Sequence, residues 1–189
     1  MTGMLTTRAD AARAIAETLL GDMGDRWRHT AGVASRAADL AGWLGLDPDI
    51  LVSAAWLHDI GYAKPIAHTG FHPVDGAVHL TAEGWPGRIA GLVAYHSGAR
   101  FVAEVKGFTG QLAVFADERS LMADALTYAD QTTSPRGERV GTEQRYAEML
   151  HRHGPCSANA LADAARGPHL RAIATRVESL LRSPFPTPA

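Results

Sequence analysis

The sequence predicts one all-α domain spanning residues 1–189, and three observations carry that reading. Apolar residues recur at three- and four-residue intervals along most of the chain, the repeat of a helix face packed on a core. Strand-like alternation is scarce. Capping residues, first-turn prolines and closing glycines fall at the ends of the periodic runs. Composition agrees, since 189 residues suffice for one substantial core, and 46% hydrophobic with 20% charged residues is ordinary for a globular protein.

The first helix is expected from about Thr7 to Leu20, rich in alanine and closed by Gly21. A second runs from about Arg26 to Leu44, with Gly45 just past its end. Asp47-Pro48 starts a third, a capping residue followed by a first-turn proline, and this helix ends at Asp59 before Gly61. The segment Tyr62 to Phe71, with Pro65 and Gly70, reads as a loop. Helices follow from about Val74 to Ala82 and from Pro86 to His96. Ser97 to Phe115 mixes Gly98, Gly107 and Gly110 with short apolar stretches and specifies no clear element. A further helix is expected from about Glu118 to Asp130, then the polar loop TTSPRGERVG, then helices from about Thr142 to His153 and Leu170 to Leu181. The tail SPFPTPA cannot continue a helix and reads as loose.

Several function classes are disfavoured at once. A formal net charge of −2 gives no electrostatic case for a nucleic-acid partner. The single cysteine, Cys156, excludes an intramolecular disulfide and any cysteine-based zinc site. With neither a signal-type segment nor an apolar run of membrane length, the expected setting is the cytoplasm, without a membrane partner.

Function shows itself in the exceptions to the apolar stripes. In SAAWLHDIGYAK, residues 53–64, Leu51, Ala54, Ala55 and His58 share a face, and Asp59 follows about 100° further round. His29 opens the stripe Val33, Ala37, Leu40, Leu44. His96 ends the stripe Ile89, Leu92, Val93, and Asp130 ends Met122, Leu126. A lone core histidine or a helix-end aspartate has local explanations. Their joint recurrence on separate helices is the pattern of a metal site in a bundle, with nitrogen and oxygen donors suited to first-row divalent ions.

The order His29, then His58-Asp59, then Asp130 resembles the HD superfamily of metal-dependent phosphohydrolases, over about Arg26 to Arg139. AAWLHDIG is the most specific part, flanked by RHTAGVASRAADLA and ALTYADQTT. The resemblance implies a helical bundle in which His29, His58, Asp59 and Asp130 bind one metal. A subset of the superfamily adds two histidines and a second metal bridged by the doublet aspartate. GFHPVDGA and LVAYHSGAR resemble the segments that supply them, which picks out His72 and His96. His79, seven residues after His72, ranks behind it; His68 lines the entrance at most, and His151, His153 and His169 read as surface residues. Within the superfamily the chain resembles the small bacterial hydrolases that split diadenosine tetraphosphate symmetrically.

The resemblance departs at Tyr62, where many relatives carry lysine; Lys64, two residues on, becomes a candidate catalytic and phosphate-contacting residue. Arg100 and Arg139, each just beyond a ligand segment, are further candidates for contacting phosphate, and Thr132 and Thr133 for orienting imidazoles. The implied cofactor is two divalent transition-metal ions, iron or manganese first, with cobalt, nickel, magnesium or zinc as alternatives. Such ions lower the pKa of bound water from ~15.7 towards ~7 and, held about 3.5–4 Å apart, clamp an in-line displacement at phosphorus. The implied activity is hydrolysis of a phosphoester or phosphoanhydride in a small, nucleotide-like substrate. The same six-residue ligand set also serves HD-fold diiron oxygenases acting on polyols or phosphonates. A non-catalytic nucleotide-binding module is the third reading, and the filled ligand positions count against it.

Overall fold

Thr7 opens the first helix with a reciprocal cap: its hydroxyl accepts from the Asp10 N–H at 3.1 Å while its own N–H donates to the Asp10 carboxylate at 3.1 Å. The structure is a computed structural model that describes residues 7–183. Helix α1 (Arg8–Leu20) is followed by α2 (Asp25–Leu44), which Gly45 ends in the left-handed conformation at φ 63°. Asp47 caps α3 (Pro48–Leu57), accepting from the N–H groups of Asp49 and Ile50, with Pro48 in its first turn. A 3-10 turn at Ile60–Tyr62 and a loop then lead to α4 (His72–Ala82) and α5 (Gly87–Tyr95).

The segment that specified no clear element in sequence folds as a 3-10 turn at His96–Gly98, α6 (Ala99–Lys106) and the single turn α7 (Thr109–Leu112). Its glycines are the joints: Gly98 and Gly107 take φ of 70° and 76° at the two ends of α6. Helix α8 (Leu121–Gln131) is capped by Ser120, whose hydroxyl accepts from the Ala123 N–H. The polar loop 132–141 holds one isolated bridge between Thr133 and Arg139. Then come α9 (Thr142–His153), the short α10 (Ala158–Leu161) and α11 (Asp163–Arg182).

Helix α11 begins well before the Leu170 start expected from the sequence and runs through Gly167-Pro168, a pair that locally disfavours a helix. Pro168 lies in the second turn, where it forfeits one backbone hydrogen bond. That loss is outweighed by burial of Leu170, Ile173, Ala174 and Val177, the face by which α11 packs on α8. Residues 184–189, most of the tail read as loose, lie outside the described residues.

The expected stripes are the core. Leu51, Ala54, Leu57, Val33, Ala37, Leu40, Ile89, Val93, Ala125 and Leu126 are almost wholly buried. Helix α3 is central, packed by α1, α2, α5 and α8. A smaller cluster of Tyr146, Met149 and Leu170 ties α9 to α11. The architecture is all-α, with no strand among the described residues, and no described helix is long and apolar enough to cross a membrane.

Candidate metal centre

His58 ends α3 in helical conformation, but Asp59 breaks away at φ −106°, ψ 3° and the chain tightens into the 3-10 turn. A continuing helix would have left the two side chains about 100° apart. The break swings Asp59 inward, so that its Oδ2 lies 3.4 Å from His58 Nε2. Asp59 Oδ1 points the other way, 3.4 Å from His72 Nε2 at the start of α4. Thus one carboxylate presents one oxygen to each side of the cluster.

His72 is placed by its surroundings. Asp75, buried one turn along α4, accepts from the N–H groups of Thr69 and Gly70 and fixes the loop that delivers Phe71 and His72. The Tyr62 ring stacks on His72 with centroids 4.0 Å apart, and the Arg26 guanidinium lies over the Tyr62 ring at 3.9 Å. Gly61 permits the approach beneath: a Cβ there would sit 2.1 Å from the His72 carbonyl oxygen and 2.8 Å from the Gly76 nitrogen.

Two groups result. His29, His58 and Asp130 form one and Asp59, His72 and His96 the other; in each, one donor atom per residue lies within 4.8 Å of the others. His29 Nε2 is 2.9 Å from Asp130 Oδ1 and 4.0 Å from Asp59 Oδ2. His72 Nε2 and His96 Nε2 face each other at 3.2 Å.

The donor set suits a cation on structural grounds. His29, His58 and His96 each turn Nδ1 to a backbone carbonyl, of Ser134 at 3.1 Å, Ala55 at 2.7 Å and Val93 at 2.6 Å. A carbonyl only accepts, so Nδ1 carries the proton and, in the neutral ring, the Nε2 lone pair faces inward. His58 Nε2 is buried with no hydrogen-bond partner. Nitrogen lone pairs converging on two carboxylates are what a divalent ion requires.

Electrostatics keeps both carboxylates ionised and two of the imidazoles neutral. Burial pushes the Asp59 carboxyl up, but Arg26, at 2.5 Å, and His58 overcome it and hold the group well below the usual carboxylate range. Asp130 is likewise held well below, against its burial, by His29, whose Nε2 lies 2.9 Å away, and by the other charges around it. Burial and neighbouring cationic groups push His72 and His96 down, keeping both neutral. His58 moves the other way: burial lowers it, but Asp59 and Asp130 raise it further.

Lys64, Arg100 and Arg139 are not brought to this cluster. Lys64 is exposed and does not line the basin over it. Arg100 turns to Asp117 at 3.3 Å and to His169, in a separate cavity behind His96. Arg139 pairs with Asp39 on the outer surface. Thr132 and Thr133 bond back to the carbonyls of Tyr128 and Ala129, so backbone carbonyls orient the imidazoles instead. Neither His68 nor His79 enters either group.

The cations that do ring the basin are Arg26, Arg145, Arg152 and Arg166. Arg26 had a signal, being three residues before His29 and so on the same helix face. Arg145, Arg152 and Arg166 come from α9 and α11, where no motif marks them. His153, read as a surface residue, is exposed but lines the basin rim. Ser97 was also unmarked: at φ 51° it is one of two non-glycine residues with positive φ among those described. It donates from Oγ to Asp130 Oδ2 and from its N–H to Thr127 at 3.1 Å, joining the His96 and Asp130 segments.

The fold and the cluster define an all-α protein with a metal-competent His/Asp centre buried among its helices. The family model described as HD domain matches residues 26–135, more than half of the chain, and the chain belongs to that family. HD domains bind divalent metals and are generally metal-dependent hydrolases. No curated protein and no solved structure matches the chain.

Proposed function

We propose that the chain is a metal-dependent phosphohydrolase cleaving a phosphoester or phosphoanhydride of a small, nucleotide-like substrate, acting in the cytoplasm. One observation supports this above the rest: the two oxygens of Asp59 are divided between two ligand groups, which suits a carboxylate that bridges two ions. On this reading His29, His58, Asp59 and Asp130 hold one ion, and Asp59, His72 and His96 the other. Iron or manganese fits this nitrogen and carboxylate donor set. When bound, such ions lower the pKa of water and polarise a phosphoryl oxygen.

The protein's own groups do the rest. Backbone carbonyls fix the three imidazoles before any ligand arrives, so little reorganisation is left for the reaction. Arg26, hydrogen-bonded to Asp59, keeps that carboxylate ionised. The four arginines of the basin offset the charge of a phosphate. A cavity of about 300 Å³ adjoins the basin, walled by Tyr62, Phe71, Pro73, Ala99 and Val102, and offers room for the organic part.

Phosphate release tests the proposal. Protein stripped with a chelator and reloaded with manganese under nitrogen should liberate phosphate or nucleotide from at least one member of a panel of phosphomonoesters, phosphodiesters and nucleoside polyphosphates. The chelator should abolish the activity. No release from any member, with iron-dependent oxygen uptake instead, would overturn it in favour of an oxygenase.

A further inference from the structure

Arg166 differs from the other arginines of the basin. Arg26 has Asp59, and Arg145 and Arg152 share Glu148 at 2.5 and 2.9 Å. Among the described residues Arg166 has no carboxylate within ion-pairing distance, although it is only 5% exposed. Its Nε donates to the Ser97 carbonyl at 2.9 Å, and Nη1 lies 3.7 Å from the Met149 sulfur. Nη2 makes no hydrogen bond to any described residue. Burial pushes the group below the ordinary arginine value. A buried cation left without a counter-charge is costly, and an anion seated against it removes that cost.

The surroundings are built around this side chain. Gly98 turns at φ 70°, and a Cβ there would meet Arg166 Cγ at 3.2 Å, so the backbone bends to let the stem pass. The neighbouring Ser97 is held in its positive-φ conformation with its carbonyl on Arg166 and its hydroxyl on Asp130. The guanidinium is thereby anchored by Nε on the wall common to the metal basin and the 300 Å³ cavity. It comes from α11, beyond the matched segment 26–135.

We infer that Arg166 is the substrate's anion anchor. Its free Nη2 receives a phosphoryl oxygen opposite the His/Asp cluster, and the group attached to that phosphate runs along Tyr62, Phe71, Pro73 and Val102 towards Lys106. The substrate class this selects is a phosphoryl group borne on a flat or apolar organic body. The inference rests on the phosphohydrolase reading for the identity of the anion, and assigns recognition to the C-terminal helices and metal binding to the matched segment.

Inorganic phosphate is the probe, titrated calorimetrically into manganese-loaded wild type, Arg166→Gln and Arg166→Met. Glutamine keeps an N–H for the Ser97 carbonyl while removing the charge; methionine removes both. Loss of a charge-assisted hydrogen bond should weaken phosphate binding about ten- to a hundredfold in either variant. Manganese per chain should be unchanged, and Arg176→Gln, at an exposed arginine paired with Asp124, should bind like wild type. Wild-type crystals soaked in phosphate give a reading that needs no variant: the anion should lie within hydrogen-bond reach of Arg166. Wild-type phosphate affinity in Arg166→Gln, or an anion seated away from Arg166, would overturn the inference. Phosphate binding that depends on Arg166 in a protein that turns over no phosphoester would sustain the anchor and retire the hydrolase reading. Turnover and phosphate binding both unaltered in Arg166→Gln would do the reverse.

Discussion

Asp59→Asn is expected to lower hydrolysis by at least about a hundredfold, since loss of even an outer partner of a ligand costs roughly 10–100-fold. The substitution is nearly isosteric, so the cause is chemical. The carboxylate offers Oδ2 to His58 and Oδ1 to His72, each at 3.4 Å. An amide keeps one acceptor, turns the other position into a donor and carries no negative charge. It therefore serves one ligand group and opposes a cation in the other. Metal content per chain should fall with activity when both are measured on the same preparation. A folded Asp59→Asn protein with wild-type turnover would remove the bridging role from the account.

The second large effect is structural. Gly61→Ala is expected to destabilise the fold by about 3 kcal/mol or more, because the added methyl meets the backbone rather than a movable side chain. The constraint is space, since Gly61 is not among the positive-φ glycines. The Cβ would lie 2.1 Å from the His72 carbonyl oxygen, so relief requires the first turn of α4 to withdraw. That same turn carries His72. The variant should lose stability in urea denaturation and, where it still folds, lose the metal that depends on His72. A change within about 0.5 kcal/mol, the range of an ordinary surface substitution, would contradict the packing described.

These two residues also show what the sequence could and could not reveal. His29, His58, His96 and Asp130 were legible because each interrupts an apolar helical stripe, a local pattern of period 3.6. His72 was legible through its resemblance to a family segment. Asp59 was legible as a ligand through the same resemblance, but the backbone turn that aims it inward was not, because helical spacing alone points it away and only the break at φ −106° brings it in. Nor was the division of labour among the arginines. Lys64, Arg100 and Arg139 lie near ligand segments in sequence, but the fold sends them to solvent, to Asp117 and to Asp39. Arg145 and Arg166 reach the basin because α9 and α11 fold back across its mouth, and no short-range pattern encodes that return. The helix through Pro168 was hidden for a related reason, since tertiary burial outweighed a local stop signal.

The most direct measurement of the central claim is an anomalous difference map at the manganese edge, from crystals of manganese-loaded protein. Two peaks should appear, one among His29, His58 and Asp130 and one between His72 and His96, with Asp59 touching both. A single peak, or none at these residues, would contradict the dinuclear centre on which the proposed hydrolysis rests.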